Sequence, residues 1–367
     1  MSAIHTLSIS GFRSIRKMEN LELRNLNVLI GANGSGKSNF VSYFRMLSEL
    51  VEGRLQVWVA KQGGADRVLS YGVKETSALT TSVRFGNNGY DIALEPTVDD
   101  GLIFTSEMLY FNGPYHGVTR PNLGAGHAES NLKKETERGF SKKVASYCYS
   151  AISNWKVYHF HDTSDTAGVK SQCAVHDNAF LRMDASNLAA FLLKLQDEAP
   201  TVYSQIRKTV RLAIPFFDDF VLKPTTLASE EQLVRLLWKQ EGSDYALWPS
   251  QLSDGSLRFI CLVTALMQPN PPTTIIIDEP ELGLHPYAIT LLGALIRSAA
   301  TRTQVIVSTQ SVALLNEFEV DDLIVVDREN GGSVFKRLEE SQFTAWLEDY
   351  TIGELWQKNI LGGRPTR

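Results

Sequence analysis

The residues best suited to chemistry in this sequence follow a short apolar run near its start. Leu26 to Ile30 read LNVLI, and residues 31–40 read GANGSGKSNF, which fits the pattern G-x-x-x-x-G-K-[ST]. Glycines in such a loop let the backbone wrap a phosphate, and the amides of the following helix point at it. The lysine reaches the β- and γ-phosphates, and the serine ligates Mg²⁺. The candidate nucleotide-binding positions are Gly31, Asn33, Gly34, Ser35, Gly36, Lys37, Ser38 and Asn39.

A second candidate site lies where an apolar run meets acids, in TIIIDEPELGLHP at 274–286. A carboxylate without a partner at the end of a buried strand would be costly, so Asp278 and Glu279 need a metal ion, a cation or solvent. In many P-loop enzymes an acid at this place holds Mg²⁺, and a neighbouring group orients the water that attacks the γ-phosphate. We therefore predict that Asp278 lies at the metal and that Glu279 activates the water.

Composition narrows the kind of protein that carries these residues. The chain has 367 residues, 43% of them hydrophobic, and a net charge of −5, so no overall basic bias favours nucleic acid. Its three cysteines are far apart, which argues against a zinc site or a disulfide framework. The N-terminus has no apolar leader, and no apolar stretch is long enough to span a bilayer. We expect a cytoplasmic protein without a membrane partner.

A third segment, LSDGS at Leu252 to Ser256, begins an apolar helix just ahead of the acid strand. Ser253 is typical of a helix N-cap with free amides beyond it, which is an anion site; alone, it would fit an ordinary capped helix. Here the sequence resembles the ABC-type ATPases, whose signature LSGGQ binds the γ-phosphate held by a second subunit. The resemblance implies that Ser253, Asp254 and Gly255 contact ATP. The departures at Asp254 and Ser256 point away from transporter subunits.

Two further stretches resemble one branch of that superfamily. TLSISGFRSI, at 6–15, resembles the first strand and turn of the RecF/SMC-like and OLD-like ATPases, in which the basic residue, here Arg13, approaches the nucleotide. EPELGLHP resembles the same branch. The resemblance covers 1–50 and 250–330 and implies ATP and Mg²⁺ as ligands and a homodimer or higher oligomer. OLD-like nucleases carry a further acidic nuclease domain after the ATPase part. The sequence here ends soon after its ATPase-like part, so we expect a stand-alone ATPase without a nuclease domain.

Two glutamines are candidates through the same resemblance. The strand in TQVIVSTQS ends where the family has a switch histidine, and this sequence has Gln310 there, which implies slow hydrolysis. The alternative is that Gln310 merely caps the strand end and the next helix. Gln62, in KQGGADR, stands where ABC enzymes place a glutamine that senses Mg²⁺ and water, although a simple loop accounts for it equally well.

The middle of the chain is less informative. SVRFGNNGYDIAL predicts a hairpin around Asn87 to Gly89. His159 and His161, with Asp162 beside them, would share one face of a strand as a structural pair or as the beginning of a metal site. No heptads are sustained, so long coiled-coil arms are not expected.

The predicted fold is α/β, a P-loop ATPase of ABC/RecF type with a mixed core sheet, an antiparallel β lobe and an inserted helical subdomain. We divide it into an N-terminal lobe at 1–115, a mostly helical insertion at 116–225 and a C-terminal lobe at 226–367. Three functions compete: a DNA-related or defence ATPase, an ATP-gated scaffold for an effector protein, and a transporter subunit. GFRSI, EPELGLHP and the altered signature disfavour the last.

Overall fold

The computed structural model describes residues 3–114 and 117–363, without the side chain of residue 138. The strands are β1 Thr6–Phe12, β2 Ile15–Glu22, β3 Leu26–Ile30, β4 Leu79–Phe85, β5 Asn88–Pro96, β6 Leu102–Gly113, β7 Gly117–Thr119, β8 Asn122–Gly124, β9 Trp155–Tyr158, β10 Cys173–Ala174, β11 Phe217–Val221, β12 Thr225–Thr226, β13 Gln232–Val234, β14 Leu237–Gln240, β15 Thr274–Asp278, β16 Gln304–Thr309, β17 Leu323–Glu329 and β18 Gly332–Arg337. The α-helices are α1 Lys37–Val51, α2 Leu55–Gln62, α3 Ala65–Val68, α4 Leu132–Arg138, α5 Lys142–Ser153, α6 Leu188–Glu198, α7 Pro200–Ala213, α8 Asp254–Met267, α9 Pro286–Ala300, α10 Val312–Leu315, α11 Thr344–Leu347 and α12 Ile352–Gln357.

A six-stranded mixed sheet forms the centre of the molecule, in the order β18-β17-β3-β16-β15-β9. The pairs from β17 through β9 are parallel, and β18 runs antiparallel to β17 at the edge. Strands β3 and β16 are buried along their whole length, as expected for parallel strands covered on both faces. Because parallel strands end at one edge, the segments after β3, β15 and β16 are brought side by side.

Alternate residues of the core strands enter two different hydrophobic cores. Ile276 and Ile306 pack with α1 and the N-terminal strands. Ile275, Ile277 and Val305 face the opposite side, where α6 to α9 supply the cover. The period of two along each strand therefore explains why an unbroken apolar run is needed there.

The N-terminal lobe is an antiparallel sheet of seven strands, ordered β2-β1-β4-β5-β6-β7, with β8 also paired to β6. Strand β1 alternates buried and half-buried residues, so one face lies on the core and the other is open. The predicted hairpin is present as β4 and β5, and its turn comes one or two residues earlier than expected, because Phe85 pairs with Asn88.

The stretch 116–225 contains α4 to α7, and it also contains β9, which pairs with β15 at the edge of the core sheet. The mixed α/β architecture with an antiparallel lobe agrees with the predicted fold class. The division of the chain at 115 and 225 stays a prediction. In the part of the chain that the structure describes, no helix is long and apolar enough to cross a bilayer.

Candidate nucleotide site

The loop between β3 and α1 is shaped by close backbone approaches. Gly36 has φ 116°, and a Cβ atom there would lie 2.0 Å from the hydroxyl of Ser333, so the position requires glycine. The buried Lys37 folds back across the loop, and its Nζ donates to the carbonyls of Gly31 at 2.7 Å and Ala32 at 3.0 Å. The loop is thus closed on its own lysine, which a phosphate group would draw away from these two carbonyls.

The remaining loop residues lie around this lysine. Asn33 and Gly34 are exposed at the tip of the loop, whereas Ser35 is buried. Asn39, in the first turn of α1, donates through Nδ2 to the hydroxyl of Ser14 at 2.7 Å. The start of α1 is therefore attached to the β1–β2 turn of the N-terminal lobe, next to Arg13.

Lys37 lies near the acids at the end of β15. Burial lowers the pKa of the Lys37 ammonium, and the charges of Glu279, Asp278 and Glu281 oppose this by raising it. The three carboxylates are thus close enough to act on the lysine through their charge. The structure brings together the two segments that the sequence placed some 240 positions apart.

Asp278, the last residue of β15, and Glu279, which follows it, have different surroundings. The Oδ1 atom of Asp278 accepts a hydrogen bond from the hydroxyl of Ser308, and its carbonyl accepts one from Nε2 of His161 at 2.9 Å. Glu279 has φ 46°, in the left-handed region that few residues other than glycine adopt. Such backbone strain, commonly about 1–3 kcal/mol, is concentrated at functional sites.

Gln310 contacts the acid predicted to activate water. Its Nε2 donates to Oε1 of Glu279 at 2.6 Å, and its backbone amide donates to Oε1 of Glu281 at 3.1 Å. The hydroxyl of Thr309 donates to the same oxygen of Glu281 at 2.6 Å. The cap of α10 is Ser311, so the Gln310 side chain orients Glu279 and does not cap the helix.

Glu281 had no role in our reading of the sequence. Burial is the main cause that raises the pKa of its carboxyl group, and hydrogen bonds from Thr309 and Gln310 lower it. The only signal in the sequence was a third acid in the run DEPE.

The oxygen atoms available for a metal ion are unequal. Ser38 is exposed at the start of α1, and Asp278 lies half-buried at the end of β15. A hydroxyl and a carboxylate are hard oxygen ligands that fit Mg²⁺. Gln62 is at the end of α2, but its Oε1 already accepts a hydrogen bond from the guanidinium of Arg13 at 2.5 Å.

The two histidines after β9 pack against each other. The rings of His159 and His161 stack with centroids 4.3 Å apart and planes 7° apart. Asp162 accepts hydrogen bonds from the amide and the hydroxyl of Ser164, at 3.1 and 2.7 Å. Among the residues that the structure describes, no group of three or more His, Cys, Asp or Glu side chains is arranged to hold a metal ion.

The signature segment begins α8 as predicted. The Ser253 hydroxyl caps the helix by accepting the amide hydrogen of Ser256 at 3.2 Å. A Cβ atom on Gly255 would lie 2.2 Å from the carbonyl oxygen of Gly283, so the helix start packs directly on the loop after β15. Asp254 is exposed. The cavity at Ser253 shares no lining residue with the two cavities at the phosphate-binding loop.

Two structural features escaped the sequence analysis. Arg258, buried in α8, donates to the carbonyls of Phe160 at 2.9 Å, His161 at 3.3 Å and Leu282, and so joins the signature helix to both flanks of β15. An arginine inside the apolar run SLRFICLV was the available signal.

The second feature is the C-terminal segment, which lies against the phosphate-binding loop. A cavity there is lined by Trp356, Gln357 and Gly363 from this segment, by Gly31 to Asn33 from the loop, and by Gln310 and Val312. Nothing in the sequence pattern indicated this contact.

No curated protein sequence matches the chain significantly. The family model described as "AAA domain, putative AbiEii toxin, Type IV TA system" matches residues 120–316, which is more than half of the chain.

Two solved structures show a similar fold at low sequence identity. A crystal structure of an SMC head bound to the C-winged helix domain of ScpA has a TM-score of 0.62 and 15% identity, and the match covers 92% of this chain and 99% of that one. An Smc head domain with an extended coiled coil, bound to the C-terminal domain of ScpA derived from Pyrococcus furiosus, has a TM-score of 0.58 and 12% identity, with 95% and 99% covered. The predicted ABC/RecF/SMC-like fold is confirmed, and the OLD-like detail stays a prediction. The protein belongs to the AAA-domain family of putative AbiEii toxins of type IV toxin–antitoxin systems, and it has the fold of an SMC-head, ABC-type P-loop ATPase.

Proposed function

We propose that the protein binds MgATP between two copies of the chain and hydrolyses it slowly, so that ATP controls the closing of the dimer. The hydrogen bond of 2.6 Å from Gln310 to Glu279, beside the acids near Lys37, is the observation that supports this best. This arrangement places a cation for phosphate (Lys37), a carboxylate (Glu279) and an amide that can position water (Gln310) close together. Transfer of a phosphoryl group to water needs these three kinds of group.

Each side chain then has a definite task. Lys37 exchanges the carbonyls of Gly31 and Ala32 for the β- and γ-phosphates. Ser38 and Asp278 would hold Mg²⁺, which neutralises phosphate charge when bound. Gln62 could bind the metal only if the hydrogen bond from Arg13 to the Oε1 atom of Gln62 were broken.

Glu279 and Gln310 together orient the attacking water. Glutamine donates and accepts hydrogen bonds but carries no positive charge, so it stabilises the transferring phosphoryl group less than a charged histidine would. We therefore expect slow basal turnover.

The second copy supplies the signature. Because the Ser253 cavity and the phosphate-binding loop share no lining residue, Ser253, Asp254 and Gly255 would act on the ATP of a facing copy. ATP then makes contacts that only the closed dimer offers, and hydrolysis removes them, which is what a two-state switch needs. A homodimer, or a higher oligomer built from it, follows.

For the biological role we propose DNA-related maintenance, repair or defence against foreign DNA, in the cytoplasm. The resemblance of the sequence to the chromosomal ATPases of the RecF/SMC-like group supports a DNA-related task. A second candidate is an ATP-gated scaffold that holds or releases an effector protein. The two SMC heads described above were solved with a domain of ScpA bound, and this supports a protein partner for the present chain as well.

The test of the shared mechanism uses two variants with opposite effects. Glu279→Gln keeps the ATP contacts but loses the base, so we expect a trapped dimer with little hydrolysis. Ser253→Arg fills the space for the facing γ-phosphate and should prevent closure. Light scattering with MgATP measures both, and a Glu279→Gln protein that stays monomeric at high concentration would refute the two-copy site.

A second experiment separates the two roles. Stimulation of ATP hydrolysis by DNA supports the first. Nucleotide-dependent co-purification of one protein, without any effect of DNA, supports the scaffold.

A further inference from the structure

Asp254 creates an electrostatic problem at the signature. It is the first residue of α8, where the ABC signature LSGGQ has glycine, and its side chain is 67% exposed. An acid at a helix N-terminus suits the helix dipole, but it would repel the γ-phosphate that the proposed function brings to this place. A signature with Asp254 therefore needs a nearby positive charge.

Lys170 is placed to supply that charge. Its Nζ lies 3.9 Å from Oδ1 of Asp254 and 3.7 Å from Oδ1 of Asp165. Both distances are longer than a hydrogen bond, so each acid interacts with the ammonium group through charge and not through a hydrogen bond. The two acids differ in place, since Asp254 begins α8 and Asp165 lies in the loop after β9.

Packing holds the lysine where it is. Its side chain is only 9% exposed, against 67% for Asp254 and 96% for Asp165. Lys170 ends a short 3₁₀ helix, Gly168–Lys170, whose central Val169 is buried, and its amide donates to Ala167 at 3.0 Å. The cation is thus the buried member of the group, and the two carboxylates are exposed.

We propose that Lys170 is a positioning residue that neutralises Asp254, so that the signature of one copy accepts the γ-phosphate of ATP bound by the facing copy. This inference rests on the proposed function. It explains how a signature with an acid in place of glycine still binds an anion. The lysine acts in trans, on ATP held by the other copy.

The test is a double-mutant cycle on ATP-dependent dimerisation and turnover. Lys170→Met keeps the apolar stem and removes the charge, and we expect dimerisation about 10-fold or more weaker, because Asp254 and the facing γ-phosphate would then repel each other at the interface. Lys170→Arg should restore it. In an Asp254→Asn background the same Lys170→Met change should have little effect, since no charge is left to neutralise. An equal loss in both backgrounds would overturn the proposal.

Two controls exclude general effects of charge removal. Lys194 lies 3.9 Å from Glu198 on α6 and not on the signature helix α8, so Lys194→Met should leave dimerisation unchanged. High salt screens repulsion between exposed charges, so it should reduce the deficit of Lys170→Met relative to wild type. A deficit that salt leaves unchanged would indicate a structural defect and count against the proposal.

Mixing experiments separate this inference from the proposed function. A Ser253→Arg protein mixed with a Lys37→Ala protein should regain one composite site, because each supplies what the other lacks. If it does not, the two-copy site itself fails. If it does, Lys170→Met mixed with Lys37→Ala should also regain activity. Failure of this second mixture alone would refute action of Lys170 in trans.

Discussion

Replacing Gln310 by alanine is the most informative change at the site. The substitution removes the donor to Oε1 of Glu279, at 2.6 Å, and does not alter the glycine-rich loop at 31–38. A hydrogen bond to a charged group contributes about 1.5–3 kcal/mol. A tenfold change in rate corresponds to about 1.4 kcal/mol, so full loss would lower kcat by about 10- to 150-fold. Because both side chains are only half-buried, we expect the lower part of that range, about 10- to 50-fold.

Phosphate release at saturating MgATP measures this effect directly. KM should change little, since the Gln310 side chain donates to Glu279, whereas the phosphate contacts that we propose come from the loop at 31–38. Gln310→His keeps a donor and should retain most of the activity. Gln357 is an exposed glutamine lining the same cavity, and Gln357→Ala should behave like wild type. A folded Gln310→Ala protein with unchanged kcat would show that Glu279 needs no orienting partner.

Three further predictions use other measurements. Lys37→Ala should weaken ATP binding by a factor of 10 or more in calorimetry, because the cation for the β- and γ-phosphates is lost; wild-type affinity would rule out our placement of the phosphates. Gly255→Ala should lower Tm by an amount equivalent to about 1–3 kcal/mol, because its Cβ would lie 2.2 Å from the backbone oxygen of Gly283, and an unchanged Tm would contradict this. Burial raises the pKa of Glu281, so its contribution to stability is fully present below the ordinary pKa and is lost as the pH rises through the raised pKa. Glu281→Gln should therefore gain Tm relative to wild type at about pH 8 and lose that gain near about pH 4; a gain independent of pH would refute the linkage.

Local rules account for the parts that the sequence predicted well. The strand β3, the glycine loop and the start of α1 follow one another directly, and each is specified by a pattern a few residues long. The same holds for the hairpin of β4 and β5 and for Ser253 as the cap of α8. The apolar run of β15 indicated a buried strand because parallel strands are covered on both faces.

Sequence patterns could not indicate which loops meet after the strands end. Gln310 reaches Glu279 because β16 lies beside β15 in the sheet, and strand order is a property of the whole fold. Whether Gln310 would cap a helix or orient an acid was therefore open until its neighbour was known. The edge position of β9 has the same origin, since a strand of four residues carries little periodicity and does not specify its neighbour.

The sequence by itself determined the type of fold, the glycine-rich loop between β3 and α1, the acid strand β15 and the start of α8 at the LSDGS segment. Only the tertiary structure decided how these are joined: Arg258 to the flanks of β15, Lys170 to Asp254, and the C-terminal segment to the phosphate-binding loop. The physical reason is the distance along the chain over which each kind of interaction acts. Propensity, capping and glycine geometry act over a few residues, whereas charges and hydrogen bonds act between any groups that packing of the two cores brings within a few ångströms.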